Sequence, residues 1–179
     1  LILCREQYAK EIDKSVFPGL QGGPHMHTVA GIAVTLGKAL QPEFKTYAAQ
    51  ILKNAKALAE SLLNNGVQLI TGGTDNHMMV INTTISFGID GKEAEKVLDR
   101  VSITTNKQII PDDPNPPLRP SGIRLGTPAA TTRGMKEAEM KQIGEWIADA
   151  LKNHQNEERL AEIKRNVETF CSKYPVPGI

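Results

Sequence analysis

Between Pro111 and Pro120 five of ten residues are proline, and this run constrains the chain more than any other feature. Proline fixes φ and lacks a backbone donor, so neither a helix nor the interior of a sheet can cross it. The stretch reads as a semi-rigid loop, and regular structure must be organised on either side of it. Immediately after it comes Ser121-Gly122-Ile123-Arg124-Leu125-Gly126-Thr127-Pro128. The expectation is that the loop delivers Arg124, a planar guanidinium set between two glycines where backbone can approach a ligand. Such a fork matches a carboxylate, which suggests a small acidic ligand.

A second Gly-rich segment lies a hundred residues earlier, Phe17-Pro18-Gly19-Leu20-Gln21-Gly22-Gly23-Pro24. Without Cβ atoms, Gly22 and Gly23 can adopt positive φ and turn their N–H groups towards a phosphate, and a following helix start adds unpaired donors. Taken singly, Gly-Gly-Pro is more often an ordinary turn, and an arginine in a Gly-rich loop is more often solvated or in a structural ion pair, so local spacing alone favours the plainer reading.

Periodicity sets out the rest. Glu6 to Lys14 reads as a short polar helix after Leu1-Ile2-Leu3, an apolar run expected to be a buried strand that lacks its sheet partners. Ser15 to Pro24 is expected as a loop. From His27, Val29, Ala30, Ile32, Ala33, Leu36, Ala39 and Leu40 predict a largely buried helix. After Pro42, Tyr47, Ile51, Leu52, Ala55, Leu58, Leu62 and Leu63 predict another, ending at Gly66. Val67–Thr71 and Met78–Thr83 read as hairpin-like strands around the Gly72–Asn76 turn. Asp90 is expected to cap a helix carrying Ala94, Val97, Leu98 and Val101. Ile103–Thr105 reads as strand-like. Beyond Thr131 and Thr132, taken as helix caps, Met135 to Leu151 and Leu160 to Phe170 form two amphipathic helices.

Function classes narrow by exclusion. With 21 basic and 20 acidic residues and a net charge of +1, and with no Lys/Arg cluster among aromatics, no nucleic-acid partner is expected. No membrane span is expected either, because no apolar run is long enough. Cys4 and Cys171 have no metal-type spacing, so neither zinc site nor disulfide framework is expected, and a reducing cytoplasm is the default location. His25 and His27 read as a packing and capping pair rather than metal ligands, and His77 as a hydrogen-bonded structural histidine. The charges from Glu157 to Arg165 read as a solvated helix face with i,i+4 pairs. No nucleophile elbow is present. The start at Leu1 suggests a chain cut from a longer one.

Taken in order, Ser15–Pro24, Ala39–Phe44, Gly72–His77, Gly91–Glu95 and Ser121–Ala129 closely resemble the C-terminal half of the serine hydroxymethyltransferase family, over nearly the whole chain. The resemblance implies an α/β fold: the C-terminal small domain of a fold-type I pyridoxal-phosphate enzyme, with a short antiparallel sheet covered by helices, preceded by the tail of the large domain. Residues 1–41 would be the end of the large cofactor domain and a connecting helix, and 42–179 the small domain. It implies interconversion of serine and glycine with tetrahydrofolate as one-carbon carrier, in a homodimer or dimer of dimers. By that likeness Arg124 grips the substrate carboxylate, and Gly22 and Gly23 bind the pyridoxal 5'-phosphate phosphate of the neighbouring subunit. Phe17 and Gln108 contact folate, Gln108 standing where the family usually has Asn. The Schiff-base lysine of a Thr-His-Lys segment is absent, so the chain alone is expected to be inactive. Leu118-Arg119-Pro120 also departs from the family's more familiar Phe-Val-Thr run. The competing expectation is a stand-alone, non-catalytic anion-binding or dimerisation module.

Overall fold

In a computed structural model that describes residues 1–178, the chain divides into two units, Leu1–Phe44 and a second from Lys45 onward. In the first, helix α1 (Glu6–Lys14) has an acidic residue in its first turn and a basic one in its last, matching the helix dipole. It runs into a tight π-type turn, Ser15–Leu20, broken at the extended Phe17 (φ −133°, ψ 124°) and closed by Gln21 N–H donating to Val16 O at 2.8 Å. The segment expected as a loop is therefore helical turn up to Leu20 and irregular only beyond it. Helix α2 (Met26–Ala39) follows, with no buried residue. Two expectations fail here. Leu1–Leu3 pairs with no strand, and α2 is exposed along Val29, Ile32, Val34 and Leu36. Apolar content predicts burial only where a covering surface exists, and this unit supplies no second layer.

The second unit is built on three antiparallel strands, β1 (Met78–Asn82), β2 (Asn106–Gln108) and β3 (Gly122–Gly126), in the order β1-β3-β2. This agrees with the expected mixture of helices and a short antiparallel sheet. Strand alternation turns Met79, Ile81, Ile123 and Leu125 to one face, where they are buried. They join one core with residues of α3 (Pro42–Asn64), α5 (Gly91–Arg100), α7 (Glu137–Lys152) and α8 (Glu157–Cys171). Short helices α4 (Thr83–Phe87) and α6 (Pro128–Thr132) follow β1 and β3. Leu58, Leu62, Leu98, Ile147, Leu151 and Ile163, all at helical spacing, supply the apolar faces. α3 and α7 cross closely at Gly144, where an added Cβ would lie 2.6 Å from Ser61 Oγ. Met135 and Met140 are buried as core filler, in line with expectation.

Asp90 caps α5 as expected, its Oδ1 accepting Glu93 N–H at 2.9 Å. Other boundaries move. Val67–Thr71 is not a strand: it makes one bridge, Leu69 to Ile81, before a 3-10 turn in which Thr71 is left-handed (φ 64°). β1 pairs instead with β3, so the chain-adjacent hairpin gives way to a long-range pair. Ile103–Thr105 is unpaired, and the strand begins at Asn106. Thr131 and Thr132 lie inside α6, where Thr131 Oγ1 donates to Thr127 O and accepts Asn54 Nδ2–H, both at 2.8 Å. The residue preceding α7 is Lys136, whose N–H donates to Glu139. On α8, Arg159 pairs with Glu162 at i+3 and reaches Asp149 of α7, and Lys164 pairs with Glu168 at i+4. None of the described helices is long and apolar enough to cross a membrane.

Candidate functional site

The segment carrying Arg124 is not a loop, as its glycines suggested, but the central strand of the sheet. Ile123 and Leu125 alternate into the core and commit it to extended backbone, while glycine at 122 admits its neighbours closely. A Cβ there would meet Ile110 Cγ2 at 2.8 Å and Ile81 O at 2.9 Å. Arg124 is exposed on the opposite face, directly across from Asn106 on β2 and Val80 on β1. Its Nε donates to Asn106 Oδ1 at 3.1 Å, and the guanidinium makes no other hydrogen bond among the described residues. The two η-nitrogens therefore remain available to a ligand.

Arg124 borders a cleft of about 550 Å³. Its apolar wall is formed by Leu58, Leu125, Ile143 and Ile147, and its polar rim includes His77, Thr105 and Asn106. An apolar cavity with a few convergent polar groups is the usual form of a small-molecule site. Thr105 Oγ1 is buried there without a hydrogen-bond partner, an atom that a ligand's polar group would satisfy. His77 differs from expectation. It is exposed, and its ring makes no hydrogen bond among the described residues; its backbone oxygen accepts Thr127 N–H at 3.0 Å and Thr127 Oγ1–H at 3.4 Å.

Gln108 stands opposite Gly122, one pair along the same sheet face as Arg124, and its Nε2 donates to Ile109 O at 3.1 Å. The other predicted residues belong to the first unit. Gly22 and Gly23 lie in the irregular stretch before α2, exposed, with nothing within 4 Å of an added Cβ at either. Neither has positive φ, so the reading of a left-handed glycine nest is corrected. The donors they offer are those of an open, irregular backbone that bends at Gly23. Phe17 is exposed where the turn breaks. His25 and His27 meet edge to face with ring centroids 5.8 Å apart, but His25 makes no side-chain capping bond.

Sequence reasoning missed Asp113, which organises the proline-rich segment. Oδ1 accepts Asn115 N–H at 3.0 Å and Ser121 Oγ–H at 2.7 Å, and Oδ2 accepts Ile110 N–H at 3.2 Å and Ser121 N–H at 2.9 Å. One carboxylate thus clasps the chain just after β2 to the residue just before β3. Burial works to raise the Asp113 carboxyl, but the bonds from Ser121, Asn115 and Ile110 outweigh it and bring it down to about 2. Arg119 adds a second tie, its Nε donating to Asp90 Oδ2 at 2.7 Å, so the departing Leu-Arg-Pro run anchors the loop to the cap of α5. A legible signal for Asp113 was its place among prolines, where Asp commonly collects backbone donors.

The serine hydroxymethyltransferase family model matches residues 3–147. A serine hydroxymethyltransferase of Acidobacterium capsulatum is 54% identical over 178 residues, which cover 99% of this chain and 42% of the relative. The chain therefore spans less than half the length of that relative. A match over most of the chain, together with a mixed sheet-and-helix unit of the kind expected, is decisive: the chain belongs to the serine hydroxymethyltransferase family.

Proposed function

We propose that this chain is the C-terminal part of a pyridoxal-phosphate enzyme that interconverts serine and glycine with tetrahydrofolate, and that Arg124 binds the substrate carboxylate. The observation that carries the reading is the exposed fork of Arg124 on a central strand, held at Nε only and bordering a cleft of small-molecule size. Two parallel charged hydrogen bonds from the η-nitrogens suit a carboxylate in geometry as well as charge.

The donor set of this chain fits part of a cofactor site. Gln21 to Gly23 offers backbone without crowding side chains, suited to a phosphate; we assign Gly22 and Gly23 to the cofactor phosphate of a neighbouring subunit in a homodimer or dimer of dimers. When bound, the cofactor supplies an electron-withdrawing ring that eases bond cleavage at the substrate's α-carbon. This chain's residues orient: Arg124 fixes the carboxylate, and Phe17 and Gln108 contribute to the folate site. Gln108, one methylene longer than the family's usual Asn, holds its amide further from the strand. The Thr-His-Lys segment with the cofactor's lysine is not in this sequence, so the chain by itself is inactive in this reading. We place the limits of the two parts at 1–41, the tail of the large domain, and 42–179, the small domain, in a cytoplasmic enzyme.

The test is Arg124→Ala in the full-length enzyme. Losing two charged hydrogen bonds should lower kcat/KM for serine by about 100-fold or more. Unchanged serine kinetics would remove Arg124 from the site and this function with it.

A further inference from the structure

The hydrogen bond between Arg124 and Asn106 carries a consequence for substrate binding that depends on the reading of Arg124 as the carboxylate-binding group. We propose that Asn106 is a positioning residue: by accepting from Nε it fixes the roll of the guanidinium so that both η-nitrogens, rather than the ε-nitrogen, face the substrate carboxylate.

An arginine on an exposed sheet face has many rotamers, and a bidentate grip uses few of them. Pinning Nε removes most of the remaining freedom and leaves one edge of the fork pointing outward. Asn106 is itself held in the orientation this requires. Its Nδ2 donates to Lys107 O at 2.8 Å, which turns Oδ1 towards Arg124. Its backbone sits directly opposite Arg124 in the β2–β3 ladder, and Lys107 N–H next to it donates to Glu95 Oε1 at 3.1 Å.

The chemistry of the acceptor matters as much as its place. Arg100, Arg119 and Arg159 are each paired with a carboxylate. Arg124 is held instead by a neutral amide. A carboxylate at position 106 would anchor Nε equally well but would neutralise the cation that the substrate needs. An amide anchors the fork and leaves its full charge for an incoming anion.

The test uses the full-length holoenzyme and compares serine with serinamide, which lacks the carboxylate, by calorimetric titration. Asn106→Ala should raise the serine Kd about five- to tenfold, the loss expected for one orienting hydrogen bond to a charged group, while the serinamide Kd stays within about twofold. In an Arg124→Lys background, where no Nε fork exists, Asn106→Ala should add no further loss. If Arg124→Lys weakens serine but Asn106→Ala does not, the positioning role is wrong and the carboxylate reading survives. If Arg124→Lys itself leaves serine binding unchanged, the carboxylate reading is wrong. Equal weakening of serine and serinamide by Asn106→Ala would reduce Asn106 to a structural residue and overturn the inference. Asn106→Ser, too short to reach Nε, gives the same comparison if the alanine variant does not fold.

Discussion

Asp113→Asn tests whether one carboxylate holds the proline-rich segment. The native side chain accepts four hydrogen bonds, two on each oxygen, from Ile110, Asn115 and Ser121. The variant keeps one acceptor oxygen but places an NH₂ against donors, so the groups facing it lose their partner. That should cost about 2 kcal/mol at pH 7. The pH dependence follows from the carboxyl being depressed from 3.8 to about 2 in the folded chain. A depressed carboxyl contributes stability above its unfolded value, and the contribution is lost as pH falls from about 4 through about 2. Full conversion of the shift gives about 2.5 kcal/mol; because Asp113 keeps part of its surface in water, about 1–2 kcal/mol is the appropriate figure, with roughly a third of it left at pH 2.5. Urea unfolding of wild type and variant between pH 7 and 2.5 supplies the measurement. Taking the difference at each pH cancels the other depressed carboxylates, Asp90, Glu137 and Glu139. The wild-type advantage should shrink with falling pH. An advantage that stays constant down to pH 2.5, or none at pH 7, refutes the clasp.

Two further substitutions address how the sheet is assembled. Gly91→Ala should destabilise by about 3 kcal/mol or more, because its Cβ would stand 2.0 Å from Gly122 O, a backbone atom that cannot swing away; a rise in Tm, the usual result of Gly→Ala in a helix, would contradict the close approach. Asn54→Ala should cost about 2–4 kcal/mol by urea unfolding, since fully buried Asn54 donates to Thr131 Oγ1 and Met135 O and accepts from Gln50 Nε2; a loss below about 1 kcal/mol would mean that these groups find other partners.

What the sequence revealed depended on the range of the interaction. The long helices were legible because their apolar spacing is local: Leu58 and Leu62 on α3, Ile147 and Leu151 on α7, and Leu160, Ile163 and Val167 on α8 are buried. So was the cap at Asp90, which involves residues three apart. Strand pairing was less legible. Nothing near Met78 announces that its partner is Gly126 rather than the preceding apolar run, because register is set by long-range contacts. Arg124 was found but placed on a loop, since a glycine such as Gly122 serves close strand approach as well as turns. The bond from Arg124 to Asn106 and the clasp of Asp113 on Ser121 were not read for a related reason: their partners lie 18 and 8 residues away in the chain. Helix α2 shows the converse failure, a legible apolar pattern with no buried residue among those described.

The central strand explains why an exposed arginine can be accurate in position. Its Cα is fixed on both sides by ladders to β1 and β2, and from below by Ile123 and Leu125 in the core. Backbone motion there would break pairing on both flanks, so the uncertainty left is confined to the side chain. Asn106 then removes part of that uncertainty from the adjacent strand, and Asp113 holds the two strands' connection. A loop-borne arginine, as glycine content alone suggested, would need order from ligand binding itself and would bind more weakly for that reason. On a strand the ordering is built during folding. In the proposed reading, stability and binding therefore separate at neighbouring positions: Ile123 and Leu125 are buried and bear on folding, whereas the exposed Arg124, hydrogen-bonded to a neutral amide, would bear on the ligand.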